Sequence, residues 1–203
     1  MKVLLLGPQG SGKGTVGDIV SKRLGIPAIS SGQLLREIPP SHPRFEEIND
    51  LMGKGVLVSQ DLVASLIEER VSREDCAKGY ILDGWGRAMI DLKYFDPGYD
   101  KVIVLVLSRE ECVRRITGRR ICDSDGKTYN IYTLPPEEVA KCKGNLIQRA
   151  DDTEESVNKR LEIYYSDTMK VVDHFRALGK VFEVDAGGSP AEVAELVIKV
   201  LQD

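Results

Sequence analysis

A glycine-rich loop close to the N-terminus most constrains what this chain can fold into. Residues 7–15 read GPQGSGKGT and directly follow the apolar run Val3–Leu6. Successive small residues let backbone N–H groups turn inward around a polyphosphate, and the lysine adds a positive charge. A helix beginning near Thr15 would add the positive end of its dipole. The pattern therefore predicts a phosphate-binding loop between a buried strand and a helix.

Short apolar runs alternate with helical patterns along the rest of the chain. Strands are predicted at Val3–Leu6, Ile26–Ile29, Tyr80–Asp83, Val102–Leu107 and Val181–Val184. Helices are predicted at Thr15–Leu24, Asp61–Arg70, Glu110–Arg120 and Thr153–Leu178. Gly25 is expected to cap the first helix, and Asp152 with Glu155 to form a capping box for the last. This alternation indicates an α/β fold, a three-layer α/β/α domain with a five-stranded parallel sheet that binds ligands at the carboxyl ends of its strands.

Two segments do not fit the alternation. Residues 30–73 are mainly helical in pattern with a proline-rich break, and residues 121–148 are rich in turn residues. Both are expected to be insertions at the ligand edge of the sheet, so that the core consists of residues 1–29, 74–120 and 149–203. Closure of the insertions over bound ligands would exclude water.

Composition excludes several classes of protein. The 28 basic and 32 acidic residues give a net charge of −4, which provides no global basic field for nucleic acid. The sequence has no apolar run of membrane-spanning length and no secretory N-terminus, so no membrane association and a cytoplasmic location are expected. Of the four cysteines, Cys76 and Cys112 are expected to be inert packing residues, and no disulfide framework is expected.

The loop departs from the general phosphate-binding loop, because Gly14 rather than a hydroxyl residue follows Lys13, and the hydroxyl comes at Thr15. The form GxxGxGKGT is typical of nucleoside monophosphate kinases, and nearly the whole chain resembles the adenylate kinase family. The resemblance implies a monomeric enzyme with a P-loop NTPase core that transfers the γ-phosphoryl group of Mg-ATP to AMP and yields two ADP. It implies that these loop residues bind ATP: Gly10, Ser11, Gly12, Lys13, Gly14 and Thr15.

Three further motifs resemble the acceptor site of the family. Residues 29–36 read ISSGQLLR, similar to ISTGDxLR; residues 55–59 read GVLVS, similar to GxLV[ST]; and residues 83–87 read DGWGR, similar to DGFPR. The resemblance implies that AMP is bound by Ser31, Arg36, Val56, Leu57, Val58, Gly84, Trp85, Gly86 and Arg87. Asp83, an acid at the end of a buried strand facing the loop, would hold magnesium or its water shell.

Two departures lie in and after the third motif. Trp85-Gly86 replaces phenylalanine-proline, often a cis proline in the family. A cis bond without proline costs about 2.5–4 kcal/mol. The turn is therefore expected to be rebuilt around Gly86 in a glycine-permitted conformation. Asp91 stands where the family has a glutamine that pairs with adenine, and a carboxylate can only accept hydrogen bonds. Asp91 is counted among the AMP-binding residues by the resemblance, and AMP is expected to remain the best acceptor, with weaker discrimination than in a relative that has glutamine at this position.

The donor side resembles the family as well. Arg115 and Arg119, on one face of the predicted helix, would hold ATP together with Thr128, Tyr129 and Gly188. Residues 149–160 match RxDDx(7)R, which implies that Arg149 and Arg160 bridge the two phosphate chains. Positioned arginines, a lysine and magnesium are the expected solution for transfer between two polyanions. The predicted catalytic residues are Lys13, Asp83, Arg87, Arg119, Arg149 and Arg160.

The second insertion contains spacing similar to that of zinc-binding relatives. Cys122 and Asp125 form the first pair, and Cys142 and Asn145 form the second. Structural zinc sites usually hold at least two or three thiolates, with histidine or aspartate as the remaining ligands, and asparagine is a weak ligand. A metal-free lid held by hydrogen bonds and packing is therefore expected; if zinc were bound, its ligands would be Cys122, Asp125 and Cys142.

Two other functions remain open at this point. Asp91 motivates a kinase whose acceptor is GMP, CMP or UMP. The remodelled Trp85-Gly86 turn motivates a nucleotide-binding sensor without turnover, although a non-catalytic binder does not need a cluster of cations around the transfer point.

Overall fold

The computed structural model describes residues 1–53, 58–149 and 152–202. Its strands are β1 Lys2–Leu6, β2 Ala28–Ser30, β3 Tyr80–Asp83, β4 Lys101–Val106, β5 Arg119–Cys122, β6 Thr128–Asn130, β7 Leu146–Ile147 and β8 Val181–Asp185. Its helices are α1 Lys13–Leu24, α2 Ser31–Arg36, α3 Phe45–Gly53, α4 Gln60–Val71, α5 Asp91–Tyr94, α6 Arg109–Thr117, α7 Pro136–Val139, α8 Glu154–Ile163, α9 Met169–Ala177 and α10 Pro190–Gln202. A short 3-10 turn covers Glu74–Cys76, and a π turn covers Tyr164–Thr168.

The central sheet is parallel and has the strand order β2-β3-β1-β4-β8. The predicted five-stranded α/β fold is confirmed, and each strand begins and ends within about two residues of its expected bounds. In β1, Leu5 lies opposite Asp83 of β3 on one side and Ile103 of β4 on the other. The loop that follows β1 therefore opens at the middle of the sheet edge.

Helices cover both faces of this sheet, which explains why its strands are apolar throughout. Val3 and Leu5 pack on the face covered by α1, α8 and α10, whereas Leu4 and Leu6 pack on the face covered by α4 and α9. A separate small cluster lies within the first insertion and contains Ile38, Ile48, Leu62 and Leu66. The sheet edge is thus held rigidly from both sides.

The long C-terminal helical pattern is interrupted in the structure. The helix predicted at Thr153–Leu178 consists of α8, the π turn and α9, and its apolar stripe is buried as expected: Val157, Leu161, Tyr164, Thr168, Val172 and Phe175. The predicted capping residue is wrong by one position, since the hydroxyl of Thr153 accepts the Ser156 N–H. The Asp152 carboxylate instead forms an ion pair with an arginine from another part of the chain.

The helix predicted at Glu110–Arg120 ends earlier than expected. Helix α6 stops at Thr117, and Arg119 lies on β5, so Arg119 does not share a helix face with Arg115. Strand β5 joins a small antiparallel sheet of order β6-β5-β7. At Gly118 a Cβ would come within 2.5 Å of the Tyr132 ring, so the close approach of this small sheet requires glycine where the helix ends.

A disulfide joins Cys122 to Cys142, which corrects the expectation that the chain forms no disulfide framework. Pairing of β5 with β7 sets Cys122 opposite Leu146 and brings the two Cα atoms to 5.8 Å, a separation that a disulfide can span. Cys76 and Cys112 are free and buried, as expected. In the ranges described above, no helix is long and apolar enough to cross a membrane.

The disulfide is expected to stabilise the fold. It closes a loop between cysteines 20 residues apart, for which the chain-entropy model gives roughly 3 kcal/mol. The double variant Cys122→Ser/Cys142→Ser should therefore melt ~10 °C below the wild type in calorimetry. A reductant should lower the melting temperature of the wild type by a similar amount and leave that of the double variant unchanged. A wild type insensitive to reductant would contradict this prediction.

Candidate active site

The loop after β1 has the geometry of a phosphate cradle. Gly10 and Gly12 have φ angles of 95° and 85°, which glycine adopts without strain, and α1 begins at Lys13. A Cβ at Gly10 would lie 2.8 Å from the backbone oxygen of Cys112, so the loop also packs tightly on α6. The Lys13 ammonium folds back across the loop and donates to the backbone oxygens of Gly7, at 2.7 Å, and Pro8, at 3.0 Å.

The charges around Lys13 form one electrostatic group. Burial lowers the pKa of Lys13, the charge of Asp83 opposes that shift, and Arg87 and Arg119 lower the pKa further. Burial likewise raises the pKa of Asp83, and the positive charges of Lys13 and Arg87 oppose it. The charges of three other predicted catalytic residues, Asp83, Arg87 and Arg119, thus act on Lys13, although they come from separate parts of the chain.

Two polar side-chain atoms in the same region have no hydrogen-bond partner in the described part of the chain. They are the Oγ of Ser11 and the Oδ1 of Asp83, and both are buried. Buried polar atoms without a partner are rare in native proteins. Asp83 stands at the carboxyl end of β3, beside the strand that leads into the loop. Both atoms are therefore candidates to contact a ligand.

In the part of the chain predicted to bind the acceptor, the Ser31 side chain is hydrogen-bonded to the turn that follows β3. Its hydroxyl donates to the backbone oxygen of Gly84 at 2.8 Å, and Ser31 is 5% exposed at the start of α2. Arg36 lies at the exposed end of the same helix. Val58 precedes α4, whereas Val56 and Leu57 lie outside the described residues.

The Trp85-Gly86 turn has the rebuilt conformation that was expected. Gly84 and Gly86 have φ angles of 82° and 68°, and no cis peptide bond occurs in the described ranges. Trp85 is buried in the core, where its Nε1 donates to the backbone oxygen of Phe95 at 2.9 Å. The tryptophan side chain therefore fixes the turn to the hydrophobic core. The Arg87 side chain, which follows Gly86, is exposed to solvent.

Asp91 has a role in this turn that the sequence did not reveal. Its carboxylate is 6% exposed, and Oδ2 accepts the backbone N–H groups of Arg87, at 2.8 Å, and Ala88, at 3.1 Å. Sequence reasoning assigned this carboxylate to an acceptor base; the structure assigns one of its oxygens to the backbone of the turn. An acid a few residues after a glycine turn could have suggested such a cap.

On the donor side, Arg115 meets the loop that contains Gly188. Its guanidinium donates to the backbone oxygens of Ala186, at 2.9 Å, and Gly187, at 3.2 Å, and Glu111 holds it from the side at 3.0 Å. Two parts of the chain that were predicted to bind ATP, from α6 and from the loop after β8, are thus brought together.

Arg119 is fixed by a carboxylate that sequence reasoning had placed in a helix cap. Its Nε and Nη2 donate to the two oxygens of Asp152, at 2.8 and 2.5 Å, and Asp152 is fully buried. The backbone N–H of Asp152 donates to the backbone oxygen of Arg149. Asp152 therefore contacts two predicted catalytic residues, Arg119 through its side chain and Arg149 through its backbone. Arg160 is half-buried on α8, and Ala150 and Asp151 lie outside the described residues.

The four candidate zinc ligands have other partners in the small sheet. Cys122 and Cys142 form the disulfide, so neither is a thiolate in this state. Asp125 accepts the Tyr129 hydroxyl at 3.0 Å, and Asn145 donates to Asp123 at 2.9 Å. Thr128, next to Tyr129 on β6, is exposed. Over the ranges that the structure describes, no group of three or more metal-binding side chains is present.

Comparisons with known proteins give a consistent result. A family model described as adenylate kinase matches residues 5–180. The adenylate kinase of Thermosipho melanesiensis is 37% identical, with 100% of each chain covered. That of Nitrosococcus oceani is 37% identical over 100% of this chain and 99% of the relative. That of Archaeoglobus fulgidus is 39% identical over 91% of this chain and 90% of the relative.

Replacing Gly86 by alanine is expected to destabilise the fold through packing as well as through conformation. A Cβ at Gly86 would lie 3.3 Å from Leu4 Cδ2 in the core. Gly98→Ala is a matched control, because Gly98 has nearly the same φ, 70°, and nothing lies within 4 Å of its Cβ position. Denaturant unfolding should show a loss for Gly86→Ala that exceeds the control by about 1–3 kcal/mol. Equal losses would mean that the turn does not rest on Leu4.

Proposed function

The chain belongs to the adenylate kinase family, and we propose that its own residues transfer the γ-phosphoryl group of Mg-ATP to AMP, giving two ADP. The observation on which this proposal rests is that Lys13 follows the carboxyl end of β1, that Asp83 and Arg87 lie at and after the end of the neighbouring strand β3, and that the charges of Asp83, Arg87 and Arg119 all act on Lys13. A site that only bound a nucleotide would not need cations from three separate elements.

The reaction requires the protein to position the two substrates and to stabilise their charge; it does not require a general base. An oxygen of the acceptor phosphate is already ionised and attacks the γ-phosphorus directly, so no covalent enzyme intermediate is needed. The inward N–H groups of the loop bind the donor phosphates. Lys13 exchanges the carbonyls of Gly7 and Pro8 for phosphate oxygens, which offer the ammonium a full negative charge.

The arginines act on the two phosphate chains from opposite sides. Arg87, exposed above the turn after β3, grips the acceptor phosphate with its planar fork. Arg119, Arg149 and Arg160 neutralise charge on the moving phosphoryl group. Because Asp152 holds the Arg119 guanidinium through two of its nitrogens, little ordering of that side chain is needed when the substrates bind.

The residues present fit a magnesium ion. Asp83 offers a buried carboxylate oxygen without a partner in the described ranges, and magnesium prefers oxygen ligands together with substrate phosphates. Asp83 would hold the ion directly or through water. When bound, magnesium neutralises charge on the β- and γ-phosphates.

The nucleotide bases are assigned to two regions. The donor adenine lies against Arg115 and the backbone around Gly188, which are hydrogen-bonded to each other, with Thr128 and Tyr129 on the lid beside it. AMP lies against Ser31, Arg36, the 56–58 segment and the Gly84–Arg87 turn. The lid, residues 121–148, and the AMP-binding insertion, residues 30–73, close on the core formed by the rest of the chain and exclude water. We also propose that the protein is a monomer located in the cytoplasm.

The identity of the acceptor base distinguishes this proposal from a kinase that phosphorylates another nucleoside monophosphate. Asp91 replaces the family's glutamine, and its Oδ2 is engaged by the Arg87 backbone. A coupled assay with Mg-ATP and each of AMP, GMP, CMP and UMP in turn should give the highest kcat/KM with AMP. A higher value with another monophosphate would make that nucleotide the substrate, and no turnover with any of the four would favour a nucleotide sensor.

Lys13→Ala is expected to lower kcat by about a hundredfold or more, because removal of one charged donor at the transferred group typically costs that much. Lys22→Ala serves as a control, since Lys22 is exposed on the same helix, more than two turns away. Steady-state kinetics and circular dichroism of both variants provide the test. Near-normal turnover in folded Lys13→Ala protein would rule out the mechanism.

A further inference from the structure

The turn that presents Arg87 is flexible by sequence. Gly84 and Gly86 flank Trp85, both with positive φ, and glycine has the largest conformational freedom of any residue. Gly86 also stands where the motif of the family has proline. A guanidinium that grips a reacting phosphate must nevertheless be held to within a fraction of an ångström. Contacts from outside the turn therefore have to supply the rigidity.

One such contact comes from Asp91. Its Oδ2 accepts from the N–H groups of Arg87 and Ala88, and its own N–H donates to the Ala88 backbone oxygen at 3.0 Å. These bonds close a small ring around the backbone that carries the arginine. The ionised acceptor makes them stronger than neutral hydrogen bonds, and the 6% exposure of Asp91 limits competition from water.

The second contact comes from the opposite side. The Thr168 hydroxyl donates to the Arg87 backbone oxygen at 2.9 Å, and Thr168 is 5% exposed. Thr168 is the last residue of the π turn between α8 and α9, and such turns are frequent at functional sites. Both polar backbone groups of Arg87 are thus bonded to buried side chains, one close in the chain and one 81 residues away.

We propose that Asp91 and Thr168 are positioning residues that hold the Arg87 backbone so that its guanidinium is aimed at the acceptor phosphate. This proposal rests on the proposed function, because Arg87 must bind that phosphate for its aim to matter. It also gives Asp91 a role through Arg87 instead of through the acceptor base. The two roles make different predictions for the same variants.

A double-mutant cycle separates them. Asp91→Ala should raise the KM for AMP at least about tenfold, while the KM for ATP stays within about twofold, because displacement of a phosphate-binding group impairs that substrate alone. In an Arg87→Ala background the same substitution should have no further effect on the KM for AMP, since nothing is left to aim. Additive effects would overturn the proposal.

Conservative variants distinguish a loss of Arg87 positioning from a loss of folding. Asp91→Asn keeps an oxygen that can accept both N–H groups and should stay within about threefold of the wild-type KM for AMP, with an unchanged ratio of AMP to GMP specificity. Thr168→Val should raise the KM for AMP, and Thr168→Ser should restore it. A changed base ratio in Asp91→Asn would instead mean that Asp91 contacts the acceptor base.

Asp96→Ala is the matched control. Asp96 is an exposed acid in the same segment, and its Oδ1 accepts the backbone N–H of Gly98 at 2.9 Å in a turn away from Arg87. Its removal should leave the KM for AMP unchanged. A wild type that does not phosphorylate AMP would overturn the proposed function, whereas normal wild-type turnover without coupling between residues 87 and 91 would overturn only the positioning role.

Discussion

The contact between the Lys13 ammonium and the carbonyls of its own loop is the interaction on which the rest of the site depends. A charge withdrawn from water is costly unless it is bonded, and here the backbone supplies those bonds. The contact requires the loop to fold back on itself, which glycines with positive φ permit. The ammonium also experiences the charge of Asp83, which lies at the end of the neighbouring parallel strand β3.

The other cations are held by contacts that fix their backbone or their guanidinium. Asp152 holds Arg119 through two nitrogens, which connects β5 of the small sheet to the start of α8 in the core. Asp91 and Thr168 bond the backbone of Arg87 and leave its side chain exposed. In both cases a buried acid is hydrogen-bonded to an arginine, Asp152 to a guanidinium and Asp91 to a backbone N–H. The paired Asp152 carboxylate offsets the charge of Arg119 and keeps its guanidinium ordered.

This chain reaches the architecture of its family with its own local solutions. Trp85 anchors the acceptor turn from the core, and Gly86 permits close packing on Leu4. A disulfide ties β5 to the segment before β7, where the sequence predicted a lid held by hydrogen bonds and packing. Trp85 and Gly86 thus constrain the turn that precedes Arg87, and the disulfide constrains the segment between β5 and β7.

The sequence by itself determined the five parallel strands, the glycine conformations of the loop and of the Gly86 turn, and the burial of the α8–α9 stripe. These features follow from local sterics and from apolar periodicity, which are readable over a few residues. Only the tertiary structure decided that Cys122 meets Cys142, that Arg119 leaves the helix for a strand, that Asp152 holds Arg119 and that Asp91 bonds the Arg87 backbone. The disulfide and the contact between Arg119 and Asp152 join residues 20 and 33 positions apart, and Arg119 is a strand residue because β5 pairs with β6 and β7. The Asp91 contact depends on a turn whose path is set by Trp85 in the core, and a linear pattern of residue types contains neither kind of information.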